Sequence, residues 1–270
     1  MLLYMKLIDC FTFTDEEIVL DVRLNVLNDI VDKFIITEGK YDHRGNKRNL
    51  IFDIKNYNKF KDKIIYLKVS DFPNFSDPWD MLKHQRNFAL QEIKKFSKDD
   101  YVMCSDVDEI PNPEAIKYFM SQNKKKIGVF MQKLFYYKFN YLCNDNETWF
   151  GTKITKVKNL KTPQLLHGMK TKIYPWWRVD KPRNPLMIKN GGWHFSFLYD
   201  VDGIIKKISS YQHTEYDNSE VKNRDRIISK IENGDDIFNR GYKYKKIEID
   251  NSFPEYLIKN QKKYSHWIKK

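Results

Sequence analysis

Cysteine is scarce in this chain, and glycine-rich linkers and long apolar runs are missing. Three cysteines stand among 270 residues. Cys10, Cys104 and Cys143 are far apart and never form a CxxC pair. An odd, scattered set excludes a disulfide framework and a cysteine-based zinc module, and it suits a reducing compartment. The ten glycines and nine prolines gather into no linker, and no internal repeat interrupts the chain, so no domain boundary is signalled. Apolar runs such as Met1–Leu3 and Ile35–Ile36 fall far short of the roughly 20 residues a membrane span needs. The opening MLLYMKLIDCF has no basic n-region, and Lys6 and Asp9 interrupt it, so it reads as a first strand rather than a leader. The expectation is a soluble, cytoplasmic protein.

What is present is charge, aromatic rings and enough length for a core. A folded chain of this size hides roughly three quarters of the surface it exposes when unfolded, so one large α/β domain needs no staples. The net charge of +12 invites a nucleic-acid or polyanion reading. Only nine of the 48 basic residues are Arg, however. Phosphate and base readers favour the bidentate Arg fork, whereas lysines dispersed over every segment make a solvated surface. No nucleic-acid partner is expected.

The patterning alternates strand and helix. Met5–Thr12 reads as a strand, and Asp15–Asn28 as a helix with Thr14 or Asp15 as its N-cap. Lys33–Thr37 is a second strand, ending at Glu38, and 41–49 is a polar loop. A helix or turn around Asp53–Phe60 leads to a third strand, Lys63–Val69. Asp77–Phe96 predicts one helix with Pro78 in its first turn, followed by the buried strand Tyr101–Cys104. This order predicts a twisted, largely parallel sheet flanked by helices, with its ligand outside the carboxyl ends of the strands. Glu38 and the acids from Asp106 to Glu109 fall at such ends. The second half is aromatic and strand-like over Gly128–Leu142 and Trp149–Lys158. A loop follows at 174–185, then helical segments at 202–212, 219–233 and 253–268.

Two aspartates spaced i, i+2 beyond a buried strand repel each other unless a cation lies between them. Asp106 and Asp108 therefore point to Mg²⁺ or Mn²⁺, a metal able to clamp a diphosphate. The bland alternative is that Asp108 or Asn112 caps a helix starting at Pro113. Arg86 could reach a nucleotide phosphate or merely pair with Glu92 or Asp80. His194, between bulky aromatics after Gly191-Gly192, could complete a carboxylate–imidazole site or be a core histidine.

Read in series, IDCFTFTDE (8–16), RLNVLNDIVDKFIITEG (23–39), QRN (85–87), SDVDEIP (105–111), FYYKFN (135–140), GGWHFS (191–196) and FPEYLIKN (253–260) resemble glycosyltransferase family 17. The resemblance runs in order from about residue 6 to 265. It implies a GT-A type fold over 1–270, with a nucleotide-sugar and metal half (1–125) and an acceptor half with C-terminal helices (126–270). It also implies a UDP-sugar donor, with GlcNAc as the family default, Mn²⁺ or Mg²⁺ as the metal, a glycan or glycoconjugate acceptor, and inversion at the anomeric carbon. On this chain, Asp106, Asp108 and His194 are then metal ligands, with Asp106 also near the donor ribose. Glu38 meets the nucleoside, and Arg86 the phosphates or uracil. Inversion needs one general base, for which Glu109, Asp145, Glu147 and Glu215 are the candidates. Tyr174, Trp176 and Trp177 with Arg178 could stack under a sugar ring. The competing readings are a nucleotidyltransferase or another nucleotide-sugar-processing enzyme, and a non-catalytic polyanion- or carbohydrate-binding protein.

Overall fold

Strand β1 (Leu7–Phe13) is buried along its whole length, and its alternation serves two cores. Leu7, Phe11 and Phe13 join Leu20 and Leu24 of helix α1 (Glu17–Leu27) in one cluster. Ile8 and Cys10 join Ile35, Val102 and Cys104 in another, on the opposite face. The architecture comes from a computed structural model that describes residues 5–73, 77–122, 125–144, 148–171, 175, 177–179 and 185–270.

The remaining elements follow in order. They are β2 (Lys33–Gly39), β3 (Ile64–Val69), α2 (Pro78–Asn87), α3 (Leu90–Ile93), β4 (Tyr101–Asp106), β5 (Glu109–Pro111), α4 (Pro113–Ser121), β6 (Ile127–Tyr136) and β7 (Tyr141–Cys143). Then come β8 (Thr148–Lys156), α5 (Pro163–His167), β9 (Leu186–Ser196), α6 (Val201–Ser210), α7 (Arg224–Asn233), β10 (Tyr244–Lys246) and α8 (Glu255–Lys259). Both halves of the chain feed one ten-stranded sheet whose main path runs β10-β7-β6-β8-β4-β1-β2-β3. Its β4-β1-β2-β3 block is parallel, so the carboxyl ends of these strands open on the same side. The α/β class expected above is the one found.

Beyond β4 the sheet changes character. β8 pairs antiparallel with β4 and β6, and β9 runs parallel to β6 while pairing antiparallel with β5. The register sets Glu109 opposite His194. Gly191 and Gly192 permit this close approach. A Cβ on Gly191 would stand 2.6 Å from the Met131 amide nitrogen. One on Gly192, at φ +132°, would stand 2.2 Å from the Ile110 carbonyl oxygen.

Four expectations about elements need correction. The cap of α1 is Glu16, not Thr14 or Asp15; its carboxylate accepts from the Thr14 and Asp15 amides of the preceding turn. The helix expected over Asp77–Phe96 divides into α2 and α3. The aromatic stretch from Phe135 breaks at Tyr137, which adopts φ +64° and bonds through its hydroxyl to the Asp235 carbonyl and the Ile237 amide. The C-terminal segment holds only α8 and a 3-10 turn at Ser265–Trp267. Its backbone is claimed by the sheet edge: the Trp267 carbonyl accepts from the Phe139 amide, and Asn140 bonds both the amide and the carbonyl of Lys269.

Candidate active site

β4 ends at Asp106, a two-residue turn follows, and β5 begins at Glu109. The acids therefore sit on a tight reversal rather than a helix. Asn112 takes the capping role, accepting from the Glu114 amide at the start of α4. One side chain fastens the reversal from beneath. Arg23 of α1 is fully buried and grips Asp9 of β1 through Nε at 2.8 Å and Nη2 at 2.6 Å. Nη2 also donates to Ser105 Oγ at 2.6 Å. Nη1 donates to the carbonyls of Asp106 (3.1 Å), Val107 (3.2 Å) and Glu109 (2.9 Å). A buried charge is tolerated when its hydrogen-bonding capacity is met in this way.

The acids divide into two neighbouring groups. Asp106, with its side chain 38% exposed, accepts from Arg86 Nη2 at 2.6 Å and from Thr12 Oγ1 at 3.2 Å. Burial opposes its ionisation, but the charges of Arg86 and His167 prevail and hold the carboxyl far below the usual range. Glu109 is buried and accepts 2.6 Å from Trp149 Nε1 and 3.0 Å from the Asp106 amide. Burial again works against charge, and His167 outweighs it, leaving Glu109 at about 2. His167, at the end of α5, sets Nε2 3.4 Å from Glu109 Oε2 and 3.7 Å from Asp106 Oδ2. In the second group His194 Nε2 lies 3.3 Å from Asp108 Oδ2. Burial depresses the imidazole, but the Asp108 carboxylate and its hydrogen bond raise it overall.

These donors fit a divalent cation. Ligand atoms of Asp106, Glu109 and His167 all lie within 4.8 Å of one another. His167 Nε2 and His194 Nδ1 are buried without a hydrogen-bond partner, although buried polar atoms are rarely left so. Imidazole beside carboxylate suits Mn²⁺ better than Mg²⁺, which prefers oxygen alone. A cleft of about 110 Å³ opens beside the acids, lined among others by Asp106, Asp108, Glu16, His43, Arg48 and Lys207. Burial opposes the charge on Lys207, but the Glu16 and Asp108 carboxylates raise it, keeping a cation next to the acids.

The structure thus gathers Asp106, Asp108, Glu109, His194 and Arg86, and reassigns several roles. Arg86 pairs with neither Glu92 nor Asp80; its Nη2 donates to Asp106 and its Nη1 to Gln164. Glu38 is fully buried, accepting from the Ile51 and Phe52 amides and the Tyr66 hydroxyl. It pins the 51–52 loop. Glu109 is engaged on both oxygens, by Trp149 Nε1 and the Asp106 amide. Glu215 is exposed on a 3-10 turn, bonded to His213, and does not line the cleft. Asp145 and Glu147, with Tyr174 and Trp176, lie outside the described residues.

Three participants escaped the sequence reading: Arg23, Trp149 and His167. Arg23 left a signal, being the one basic residue within the apolar run IVLDVRLNVL, matched by Asp9 in the buried strand LIDCFTF. His167 left none, because only the packing of α5 brings it to the acids.

The family model of glycosyltransferase family 17 matches residues 3–268. The rat β-1,4-mannosyl-glycoprotein 4-β-N-acetylglucosaminyltransferase is 22% identical over 292 residues, covering 97% of this chain and 54% of its own length. The human enzyme of the same name is 22% identical over 239 residues, covering 78% and 44%. The chain therefore spans about half the length of these relatives. Among solved structures, that of S. aureus TarS 1-349 aligns with a TM-score of 0.43 at 15% identity, covering 85% of this chain and 71% of that one. No helix among the described residues is long and apolar enough to cross a membrane. A family match over residues 3–268, a span that takes in both DVDE and GGWHFS, places this chain in glycosyltransferase family 17.

Proposed function

We propose that the chain moves a sugar from a UDP-sugar, with GlcNAc the expected donor, onto a hydroxyl of a glycan or glycoconjugate, with inversion and with the help of a divalent cation. The observation that carries this reading is the convergence of Asp106, Asp108, Glu109, His167 and His194 near the carboxyl ends of the parallel strands, with two buried imidazole nitrogens that make no hydrogen bond. The names of the rat and human relatives support the donor.

In the reaction, the acceptor oxygen forms a bond to C1 of the donor sugar while the bond from C1 to the diphosphate oxygen breaks. UDP leaves with the electron pair, and the hydroxyl proton passes to a base. A Mn²⁺ held by these acids and imidazoles would neutralise charge on the leaving diphosphate. Lys207 adds a fixed cation in the same cleft. Arg23 holds the acid reversal through its carbonyls, so like-charged carboxylates stay together before substrate arrives. Glu109 is engaged by Trp149 and the Asp106 amide, which leaves Asp145 and Glu147, just ahead of Trp149 in the chain, as the base candidates. The work divides between the two halves: residues 1–125 serve the nucleotide sugar, and 126–270 serve the acceptor while lending His167 and His194 to the metal. Three buried thiols suit a reducing compartment such as the cytoplasm.

Thermal unfolding tests the reading, since a ligand that binds only the folded state stabilises it by about 2.7 kcal/mol at a hundredfold excess over Kd. UDP should raise the melting temperature only with Mn²⁺ present, and not in Asp108→Ala. A response to nucleoside triphosphates alone would favour the nucleotidyltransferase. Salt-sensitive nucleic-acid binding with no UDP response would sink the proposal.

A further inference from the structure

Trp149, the second residue of β8, stands beside the acids and is 39% exposed, yet two contacts hold it. Its Nε1–H donates 2.6 Å to Glu109 Oε1. Its ring centroid lies 4.5 Å from that of His194, with the planes tilted by 36°. Behind it Gly151 leaves clearance: a Cβ there would come within 2.9 Å of Trp149 Cδ1 and 1.9 Å of Gln132 Oε1, and would displace the indole. Phe150 beside it is also 39% exposed. Leaving a large ring in water forgoes the free energy of its burial, and here the exposed ring is also kept from moving. A rigid aromatic face next to reacting groups loses little further freedom when something lies on it.

We propose that the open face of Trp149 is the platform for the acceptor's sugar ring, so that this enzyme takes pyranosides that present an apolar C–H face. A pyranose ring is apolar across that face and polar at its edge, which matches an indole whose polar N–H is turned inward to Glu109 while more than a third of the side chain stays exposed. The proposal rests on the transferase reading above and adds the part of the site that receives the acceptor. It also ties acceptor to acids, because the ring that bears the sugar is hydrogen-bonded to Glu109 and packed on His194.

The test compares Trp149→Phe, which keeps an aromatic face but loses the N–H, with Trp149→Ala, which loses both. Acceptor probes are methyl β-mannopyranoside, methyl β-glucopyranoside and methyl β-galactopyranoside, with glycerol as a polyol lacking the ring face. In wild type with UDP and Mn²⁺, at least one pyranoside and not glycerol should change the tryptophan fluorescence saturably, and Trp149→Ala should abolish the change. For transfer, Trp149→Ala should raise the acceptor KM at least tenfold, and Trp149→Phe less than about threefold. If both variants instead lower kcat alike with KM unmoved, Trp149 only braces Glu109 and the platform is overturned. A fluorescence response that survives in Trp149→Ala overturns it too. Mn²⁺-dependent UDP binding without any pyranoside response in wild type removes the platform alone, whereas absence of UDP binding removes the transferase reading with it.

Discussion

The parallel and antiparallel parts of the sheet contribute to the site in different ways. The block β4-β1-β2-β3 supplies acids by position: β4 runs out at its carboxyl end, and Asp106 and Asp108 follow as direct neighbours in the chain. The β5-β9 ribbon and β8 supply His194 and Trp149 by register, across long stretches of sequence. The first contribution is local and fastened by one buried arginine. The second depends on two glycines that let β9 approach. The acid loop is thus a stability problem, and the imidazole and indole side is an alignment problem.

Breaking the parallel side should have the largest effect. Arg23→Met leaves Asp9 buried and unpaired and takes a donor from three carbonyls, and should cost about 3–5 kcal/mol of folding free energy. Urea denaturation measures this directly; a loss under about 1 kcal/mol would mean that the loop is fastened elsewhere.

A smaller effect belongs to the metal-facing imidazoles. His167→Ala should weaken Mn²⁺ affinity roughly tenfold, read by calorimetry, with the melting temperature in the absence of metal little changed. Unchanged affinity would leave His194 with Asp108 as the imidazole side of the metal site.

The smallest effect is a pH dependence at the cleft's edge. Burial, with the charge of Arg86, pushes His43 down from 6.5 to about 4. Because its folded value lies below its unfolded one, the unfolded chain takes up the proton more readily. The stability contributed is therefore complete above about pH 6.5 and is lost as pH falls toward 4. His43→Gln should flatten this part of the profile, seen as urea midpoints at pH 7, 5.5 and 4.5 that fall less steeply than in wild type. Parallel profiles would show that His43 titrates as it would in water.

Much of the parallel side was legible because it is local. Strand alternation in Leu7–Phe13 and Lys33–Gly39, and acids following a buried strand, are patterns within a few residues. Family resemblance then drew His194 into the same site. Glu38 marks the limit of such patterns, because a strand-end carboxylate does not reveal in sequence that it accepts from two amides and a tyrosine. The single helix read over 253–268 failed for a related reason, since amphipathic spacing does not reveal that Asn140 and Phe139 take up the tail's backbone groups.

By itself the sequence determined the α/β class, the parallel block, the acidic reversal after β4 and the family. Each rests on short-range periodicity or on motifs read in order. Tertiary structure alone decided that His167 meets Asp106 and Glu109, that Arg86 serves an acid, and that Trp149 braces Glu109 with one face in water. Those outcomes depend on the register of β8 and β9 and the docking of α5. Both are settled by packing between residues dozens of positions apart, for which no local pattern exists.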